Sequence, residues 1–425
     1  MSLKKQYSSV YQAISDVESR LKDWSELIAV FKQCYPNTLE TTVQWPDDGT
    51  AFVITGDIPA MWLRDSSAQV RPYVRFAKDD ADVRQLIAGL IRRQAAYILI
   101  DPYANAFNET DNNHGHQEDH TDMLPSIWER KFEVDSLCYP VQLLKDYWDV
   151  TGDKGIFDQT IRLALTLIVE TFITEQQHDL QSHYHFERDN CPASDTLPFN
   201  GRGTRTNFTG MIWSGFRPSD DSCIFGYLIP ANMLAVVILG HIIEFAGLYG
   251  DTALAEKANR LRSEVDFGIQ TYGMVNHPRF GRMYTYETDG YGNYNLMDDA
   301  NVPNLLSIPY LGYRPADDPI YANTRAFVLS SENPYFREGQ YARGIGSPHT
   351  PPGYIWPIGL IMQGLTTTDV TEQRQLIEML ISTTAGTQFM HESFDPDNPA
   401  AFTRSWFAWA NSLFGEFIYR WALRQ

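Results

Sequence analysis

The sequence predicts an all-α protein of the (α/α)6-barrel class with a few short β-hairpins in its loops, and three observations carry that expectation. Apolar residues recur at helical spacing through most of the 425 residues. Strand signals are few. Six irregular segments rich in Gly, Pro, Asp, Arg and Trp each run straight into an unusually apolar helix, with more polar helical stretches between them. Six buried helices alternating with six outer ones is the arithmetic of such a barrel, and the loops leading into the inner helices gather at one end. A helical solenoid would show a fixed repeat period, and the sequence has none.

Taken in chain order, Val83, Leu86, Ile87, Leu90 and Ile91 form the stripe of an amphipathic helix. Val134, Leu137, Cys138, Val141 and Leu144 form another, stopped by Thr151-Gly152-Asp153, and Ile156 to Phe172 supplies its partner. Further helices are expected over Pro230 to Tyr249, Leu254 to Tyr272, Tyr354 to Gly364, Thr371 to Thr384 and Ser405 to Leu423. Arg282 to Thr288 and Tyr291 to Asn295, joined by Asp289-Gly290, read as a hairpin, and Ser182 to Glu187 as a short strand. The six lead-in segments are Gly56 to Val70, Trp128 to Val141, Ser214 to Met233, Asn301 to Tyr313, Gly346 to Leu360 and Phe402 to Phe414. No Gly/Ser/Pro-rich linker or charge block divides the chain, so a single domain over residues 1–425 is expected.

Composition narrows the function. A chain of this length with 43% hydrophobic residues can bury a large core. A formal net charge of −19 argues against nucleic acid as a partner, because phosphate binding needs clustered Lys and Arg. The first twenty residues alternate charged and apolar positions without a signal-type apolar run, which predicts a cytoplasmic protein. Tyr227 to Tyr249 is the most apolar stretch, yet Pro230, Asn232, His241 and Glu244 within it would be costly in lipid, so a buried helix is expected and no membrane span. Cys34, Cys138, Cys191 and Cys223 have neither metal-ligand spacing nor the density of a disulfide scaffold, and are expected as reduced core thiols. Aromatic residues, 13% of the chain, suit stacking on sugar rings and serve a large core equally well.

The chemistry-bearing motifs are carboxylates in aromatic loops. A phosphate-cradling glycine loop, a G-x-S-x-G elbow, a CxxC pair and an H-E-x-x-H helix are all missing from the sequence. Glycoside hydrolysis runs on two carboxyl groups alone, one protonated and one ionised. Asp220 and Asp221 follow Trp213, Phe216, Arg217 and Pro218 ahead of an apolar helix, where a helix N-cap is the ordinary role for such a residue. A helix N-terminus lowers a carboxyl pKa whereas an acid catalyst needs it raised, so the two aspartates could divide these duties. Glu392 follows a helix that ends near Ala385-Gly386 and sits beside Met390 and Phe394; the ordinary alternative is a solvated loop glutamate. In Trp62-Leu63-Arg64-Asp65 a stacking face adjoins a hydrogen-bonding pair, which either grips sugar hydroxyls or locks the loop as a buried ion pair. The same logic covers Glu129, Arg130 and Asp135. Asp111 to Asp122 holds three histidines and four acidic residues and is the candidate metal site, although a solvated polar loop looks the same.

Thr55 to Ser66 (TGDIPAMWLRDS), Ser214 to Asp221 (SGFRPSDD) and Met390 to Phe394 (MHESF) together resemble glycoside hydrolase family 125, the bacterial exo-α-1,6-mannosidases. The resemblance covers nearly the whole chain. It implies an (α/α)6 barrel, removal of terminal α-1,6-linked mannose from the non-reducing end of an oligosaccharide without metal or cofactor, and inversion at the anomeric carbon. It assigns Asp220 as general acid and Glu392 as general base activating water. Sugar contacts are expected at Trp62, Arg64, Asp65, Glu129, Arg130, Asp135, Asn304, Ser347, His349 and Trp356. Inversion implies carboxyl groups about 6.5–9.5 Å apart, leaving room for a water. The rival readings are a metal-assisted mannosidase using the Asp111 to Asp122 loop, a sugar epimerase on the same barrel, and a non-catalytic glycan-binding protein.

Overall fold

The computed structural model describes residues 5–424, so Met1 to Lys4 and Gln425 lie outside it. The helices in chain order are α1 Ser8–Arg20, α2 Ser25–Cys34, α3 Asn37–Thr41, α4 Leu63–Val70, α5 Ala81–Ile100, α6 Val134–Thr151, α7 Gln159–Glu175 and α8 His178–Gln181. They continue as α9 Pro198–Gly201, α10 Ile229–Tyr249, α11 Thr252–Tyr272, α12 Ile308–Leu311, α13 Pro319–Val328, α14 Pro357–Leu365, α15 Val370–Ser382 and α16 Ala408–Ala422.

Six of these, α4, α6, α10, α12, α14 and α16, follow the six lead-in segments and form the inner ring. Helix α4 packs on both α6 and α16, α6 on α10, α10 on α12, and α14 on α16. All residues of α4 are buried, whereas the outer helix α11 buries only one stripe, Leu254, Ala258, Leu261, Val265, Gly268 and Ile269. The outer ring is α2, α5, α7, α11, α13 and α15, with α5 against α7, α7 against α11 and α15 against α2. The expected six-plus-six arrangement is therefore present, with one inner position reduced to the single turn α12. A continuous apolar cluster runs from Tyr7 to Ala422. Helix α10 is long and apolar enough to cross a membrane, but most of its surface is buried between α6, α11 and α12.

The two rings begin differently. Five outer helices start on an aspartate whose carboxylate accepts backbone N–H bonds: Asp80, Asp158, Asp251, Asp318 and Asp369. Each such cap contributes about 1 kcal/mol. The inner helices start on Trp62, Glu133, Leu228, Ser307, Trp356 and Phe407, none of which caps through its side chain. Their N-terminal N–H groups and positive dipole ends are thus directed to one end of the barrel.

Two strand expectations need correction. The expected hairpin over 282–295 is split: Gly281–Tyr284 pairs with the preceding Met274–His277, and only Glu287–Thr288 pairs with Tyr294–Asn295. Asp289 accepts N–H bonds from Tyr291 at 2.8 Å and Asn293 at 3.2 Å, so the connection is a five-residue Asx-stabilised loop over 289–293. Ser182 to Glu187 is extended but has no ladder partner beyond one bridge between Glu187 and His120. Instead, Phe186 N–H bonds to the Gly201 carbonyl at 3.0 Å. Helices α1, α2 and α13 were not among the expected ones; the short connections around them hide their boundaries.

Candidate active site

At the barrel end where the inner helices begin, a pocket of about 380 Å³ including its mouth is lined by residues from five separate lead-in segments. Its walls carry Trp62, Arg64 and Asp65 from the start of α4, Ser219 and Asp220, Asn301, His349 and Trp356, then Glu392, Arg404 and Phe407. Both sequence-nominated acids, Asp220 and Glu392, face this one cavity.

Arg64 organises its floor. The residue is 2% exposed and its guanidinium faces four carboxylates. Nη2 stands 3.2 Å from Asp220 Oδ1, Nη1 3.5 Å from Asp135 Oδ2, Nε 3.5 Å from Asp65 Oδ2, and Nη1 also contacts Glu133 Oε2. Burial pushes the Asp65 carboxyl up to about 6 against the pull of Arg64, and does the same to Asp135, also to about 6. Glu133 is raised well above the usual range by burial, despite Arg64.

Asp220 does not cap a helix. It sits at the tip of a tight turn in which Asp220 N–H bonds to the Arg217 carbonyl at 2.9 Å and Arg217 N–H to the Asp221 carbonyl at 2.8 Å. Helix α10 begins only at Ile229, so the cap explanation falls. The turn is pinned from several sides. Arg217 Nε donates to Glu287 at 2.6 Å, Ser219 Oγ to Asp299 at 2.7 Å, Asn301 Nδ2 to the Pro218 carbonyl at 2.7 Å and Lys131 Nζ to the Asp220 carbonyl at 2.8 Å. These bonds hold Asp220 at φ 69°, a left-handed conformation costing about 1 kcal/mol or more for a side chain of this kind. Burial works to raise the Asp220 carboxyl, but Arg64, Lys131 and His349 outweigh it and hold it below its ordinary value. The expectation that an acid catalyst here would itself be raised is therefore not met; the raised groups are its neighbours.

Glu392 lies across the pocket, buried just ahead of the strand Ser393–Asp395. That strand pairs with Asn398–Thr403 and bridges to Ile355, which ties it to the segment leading into α14. Met390 N–H bonds to Asn411 Oδ1 at 2.8 Å and Phe407 N–H to the Met390 carbonyl at 2.9 Å, fixing the loop against the start of α16. His391 stacks on Phe402 with ring centroids 3.8 Å apart and serves the loop, pointing away from catalysis. Arg404, at φ 45°, places Nε 3.4 Å from Glu392 Oε1 and 3.5 Å from Asp57 Oδ2.

His349 lines the same pocket as the two acids, its Nδ1 3.8 Å from Asp221 Oδ1. Burial opposes its charge, yet Asp221, Asp220 and Glu392 push its pKa up to about 9, so the ring is a cation at neutral pH. Asp221 thus answers a cation and Asp220 faces the cavity.

Of the ten expected sugar contacts, Trp62, Arg64, Asp65, His349 and Trp356 line the pocket. Asp135 does not; it is fully buried behind Arg64 in the first turn of α6. Glu129 supports the site from the side, accepting from Arg188 at 2.9 Å and facing Lys131 at 3.6 Å. Arg130 pairs with the Asp101 carboxylate at 2.6 Å, and Asn304 donates to the carbonyls of Asp299 and Ala300 at 2.8 and 3.1 Å, bracing backbone. Ser347 is buried and accepts the His349 N–H at 3.2 Å, shaping the loop without lining the cavity. Thr55, Ile58, Ser219, Asn301, Arg404 and Phe407 line it and were not nominated. All six fall in or beside lead-in segments, and the nominations favoured side chains with obvious chemistry.

The Asp111 to Asp122 loop packs outside this site. His116 N–H bonds to the Trp128 carbonyl at 2.8 Å, His120 Nε2 lies 2.9 Å from Asp189 Oδ2, and Asp119 takes both arms of Arg188 at 2.7 and 2.8 Å. Among the described residues no three His, Cys, Asp or Glu side chains converge there as a ligand set. The loop is a brace for Glu129 and its neighbours.

Residues 25–419 match the model of the metal-independent alpha-mannosidase family, GH125. A solved structure from Streptococcus pneumoniae, from a widely distributed family of metal-independent alpha mannosidases linked to processing of N-linked glycans, superposes with a TM-score of 0.97. It is 47% identical over 100% of both chains and holds alpha-1,6-mannobiose in a non-productive complex. The meiotically up-regulated gene 157 protein of Schizosaccharomyces pombe is 41% identical over 96% of this chain and 85% of its own length. A bacterial glucoamylase solved with acarbose shares the fold alone, at 13% identity and a TM-score of 0.53 over 95% of this chain and 55% of that one.

Proposed function

The chain belongs to glycoside hydrolase family 125, the metal-independent alpha-mannosidases, and from that premise we propose that it is an inverting exo-α-1,6-mannosidase acting on non-reducing terminal mannose of oligosaccharides such as those of N-linked glycans. The single observation that carries this reading is that Asp220 and Glu392 face one small pocket from separate, independently braced loops. Asp220 gives a proton to the glycosidic oxygen as the C1–O bond breaks. Glu392 takes a proton from a water whose oxygen bonds to C1 from the opposite face, releasing β-mannose. Of the carboxyls around Arg64, Asp220 exposes 28% of its side chain while Glu133 and Asp135 expose none, which supports Asp220 as the proton donor in contact with sugar.

Trp62, Trp356 and Phe407 supply apolar faces for the ring, and Asp65, Asn301 and His349 supply hydrogen-bonding groups for its hydroxyls. The floor of the pocket, closed by buried Arg64, favours an end of a glycan over an internal residue. The whole chain works as one catalytic domain in this reading, since a single apolar cluster spans it. Membership of a hydrolase family argues against the epimerase and glycan-binding readings, and its metal-independent chemistry against the metal-assisted one. The test is a panel of α-1,2-, α-1,3- and α-1,6-linked mannobioses with chelator present, followed by proton NMR. Preferential release from the α-1,6 substrate with β-mannose appearing first is expected. An initial α-anomer overturns inversion, and equal turnover of all linkages overturns the specificity.

A further inference from the structure

Arg64 carries one positive charge and faces four acidic side chains, Asp65, Glu133, Asp135 and Asp220. The neighbouring cations that act on Asp220 are shared with other acids: Lys131 also pairs with Asp195 and Glu129, and His349 with Asp221. Full ionisation would leave a large uncompensated negative charge beneath the pocket, which is costly in a buried site. The cluster therefore retains protons.

The hydrogen-bond pattern singles out Glu133 as the candidate to hold one. Glu133 Oε2 accepts from Arg64 and from Ser136 Oγ at 2.6 Å. Glu133 Oε1 is buried and, among the described residues, receives no hydrogen bond. An ionised oxygen in that position would lack any donor, whereas a protonated one becomes a donor itself. Glu133 and Asp220 sit on adjacent arms of the same guanidinium, Glu133 on Arg64 Nη1 and Asp220 3.2 Å from Nη2, which makes the Asp220 carboxylate the neighbouring acceptor for a proton on Glu133. The fold separates the roles: Glu133 starts α6 with no side-chain exposure, and the Asp220 side chain is 28% exposed on a turn held in left-handed backbone.

We propose that Glu133 is a positioning residue that holds the proton Asp220 delivers, the two carboxyls sharing one proton across their contact. In the resting site the proton lies on Glu133 and is donated to Asp220. When sugar fills the pocket the proton moves onto Asp220 and from there to the glycosidic oxygen as the C1–O bond breaks, while Glu392 takes one proton from water. Both members of the pair are then ionised; Glu392 releases its proton to solvent on product release and the pair regains one from solvent. The opposed shifts of the two groups, Glu133 raised by burial and Asp220 held down by its cations, agree with this division of a shared proton. Arg64, Asp135 and Ser136 face Glu133 alongside Asp220, so they set the same equilibrium.

The inference rests on Asp220 as the acid, and the test separates the two. Glu133→Gln keeps the side-chain shape and removes the exchangeable proton. For α-1,6-mannobiose, kcat is expected to fall about 100-fold with KM within about threefold, the scale of a lost proton-transfer contribution. A dinitrophenyl α-mannoside, whose leaving group needs no proton, is expected to fall less than about threefold. The alkaline limb of kcat/KM for the disaccharide is expected to move down by at least about one pH unit, because the pair's upper macroscopic pKa is lost. Parallel losses on both substrates, or an unmoved limb, overturn the proposal. Should the variant fail to fold, 13C NMR of wild-type enzyme carrying carboxyl-labelled glutamate decides: a glutamate still protonated at pH 7 is expected, and full ionisation of every glutamate by pH 6 overturns it. Disaccharide turnover that survives Asp220→Asn overturns the acid assignment itself, whereas an inactive Asp220→Asn beside an unaffected Glu133→Gln overturns only the sharing.

Discussion

Arg64 Nη2 stands 3.2 Å from Asp220 Oδ1, so the candidate acid hangs on a buried guanidinium that also binds Asp65, Glu133 and Asp135. Removing that cation leaves four buried acids without their counterion. Arg64→Met is expected to cost about 3–5 kcal/mol at pH 7. The acids of the variant must then take up protons on folding, so its folded state binds more protons than its unfolded state and loses stability as pH rises. Denaturant unfolding should show a smaller deficit at pH 5 than at pH 7; a deficit independent of pH would show that the guanidinium acts through packing alone.

Asp220 and Glu392 should separate by leaving group. Asp220→Asn is expected to lower kcat for α-1,6-mannobiose by about 10²–10⁴ and to lower turnover of an activated aryl mannoside far less. Glu392→Gln should impair both substrates, because water activation is needed whatever departs. Steady-state kinetics on the two substrates check this, with circular dichroism confirming the fold. Asp65→Asn serves as a contrast, since its carboxyl also lines the pocket and is pushed up to about 6 by burial. It should affect both substrates alike if Asp65 only holds sugar hydroxyls.

The same Asp65 variant should change stability in the opposite sense to activity. A carboxyl raised from about 3.8 to about 6 contributes stability that is present below its unfolded value and lost as pH climbs through 6. Asp65→Asn is therefore expected to stabilise the protein at pH 7 by on the order of 1 kcal/mol and to give no gain at pH 4. Thermal melts at the two pH values measure the difference.

His349 is held as a cation by Asp221, Asp220 and Glu392, with its pKa pushed up to about 9 from 6.5. Its contribution to stability is complete below about pH 6.5 and disappears as pH rises through about 9. Unfolding midpoints of wild type and His349→Gln should differ most near pH 6 and converge above pH 9. A constant difference across that window would mean that the ring is neutral throughout.

The aspartate caps of the outer helices offer a control remote from the pocket. Asp369 accepts from Thr371 N–H at 2.8 Å at the start of α15. Asp369→Ala is expected to cost about 1 kcal/mol with kcat unchanged. A comparable loss of kcat would mean that outer-ring stability is coupled to the site.

Helices were legible where long apolar stripes ran through the middle of the chain: those through Val83 and Val134 became α5 and α6, and Gly152 ended α6 in left-handed backbone as a C-cap glycine does, whereas the shorter stripe of α1 was not read. The two-residue hairpin at Asp289-Gly290 was misread because the turn dipeptide is a local signal, while the loop's closure at Asn293 depends on the Asp289 carboxylate. Of the residues expected to touch sugar, Trp62 and Trp356 line the pocket at the starts of α4 and α14, where each is both the helix lead-in and the pocket wall. Asn304 and Arg130 lie outside the pocket lining, their hydrogen bonds spent on neighbouring backbone and on Asp101 respectively. Arg404 lies in a marked lead-in segment, but its partner Glu392 is known only once strand pairing brings the two together.

The amino-acid sequence by itself determined the barrel class and the alternation of inner and outer helices, because helical periodicity and capping depend on residues within a few positions of each other. It also determined which two acids to watch, through long motifs resembling a known family. Only the tertiary structure decided that Asp220 belongs to a turn with no helix to cap, that Glu133 stands behind it, and that one guanidinium serves four acids. These facts depend on side chains 69, 71 and 156 positions apart meeting in a buried place. Protonation there is set by desolvation and mutual charge, which no local stretch of sequence encodes.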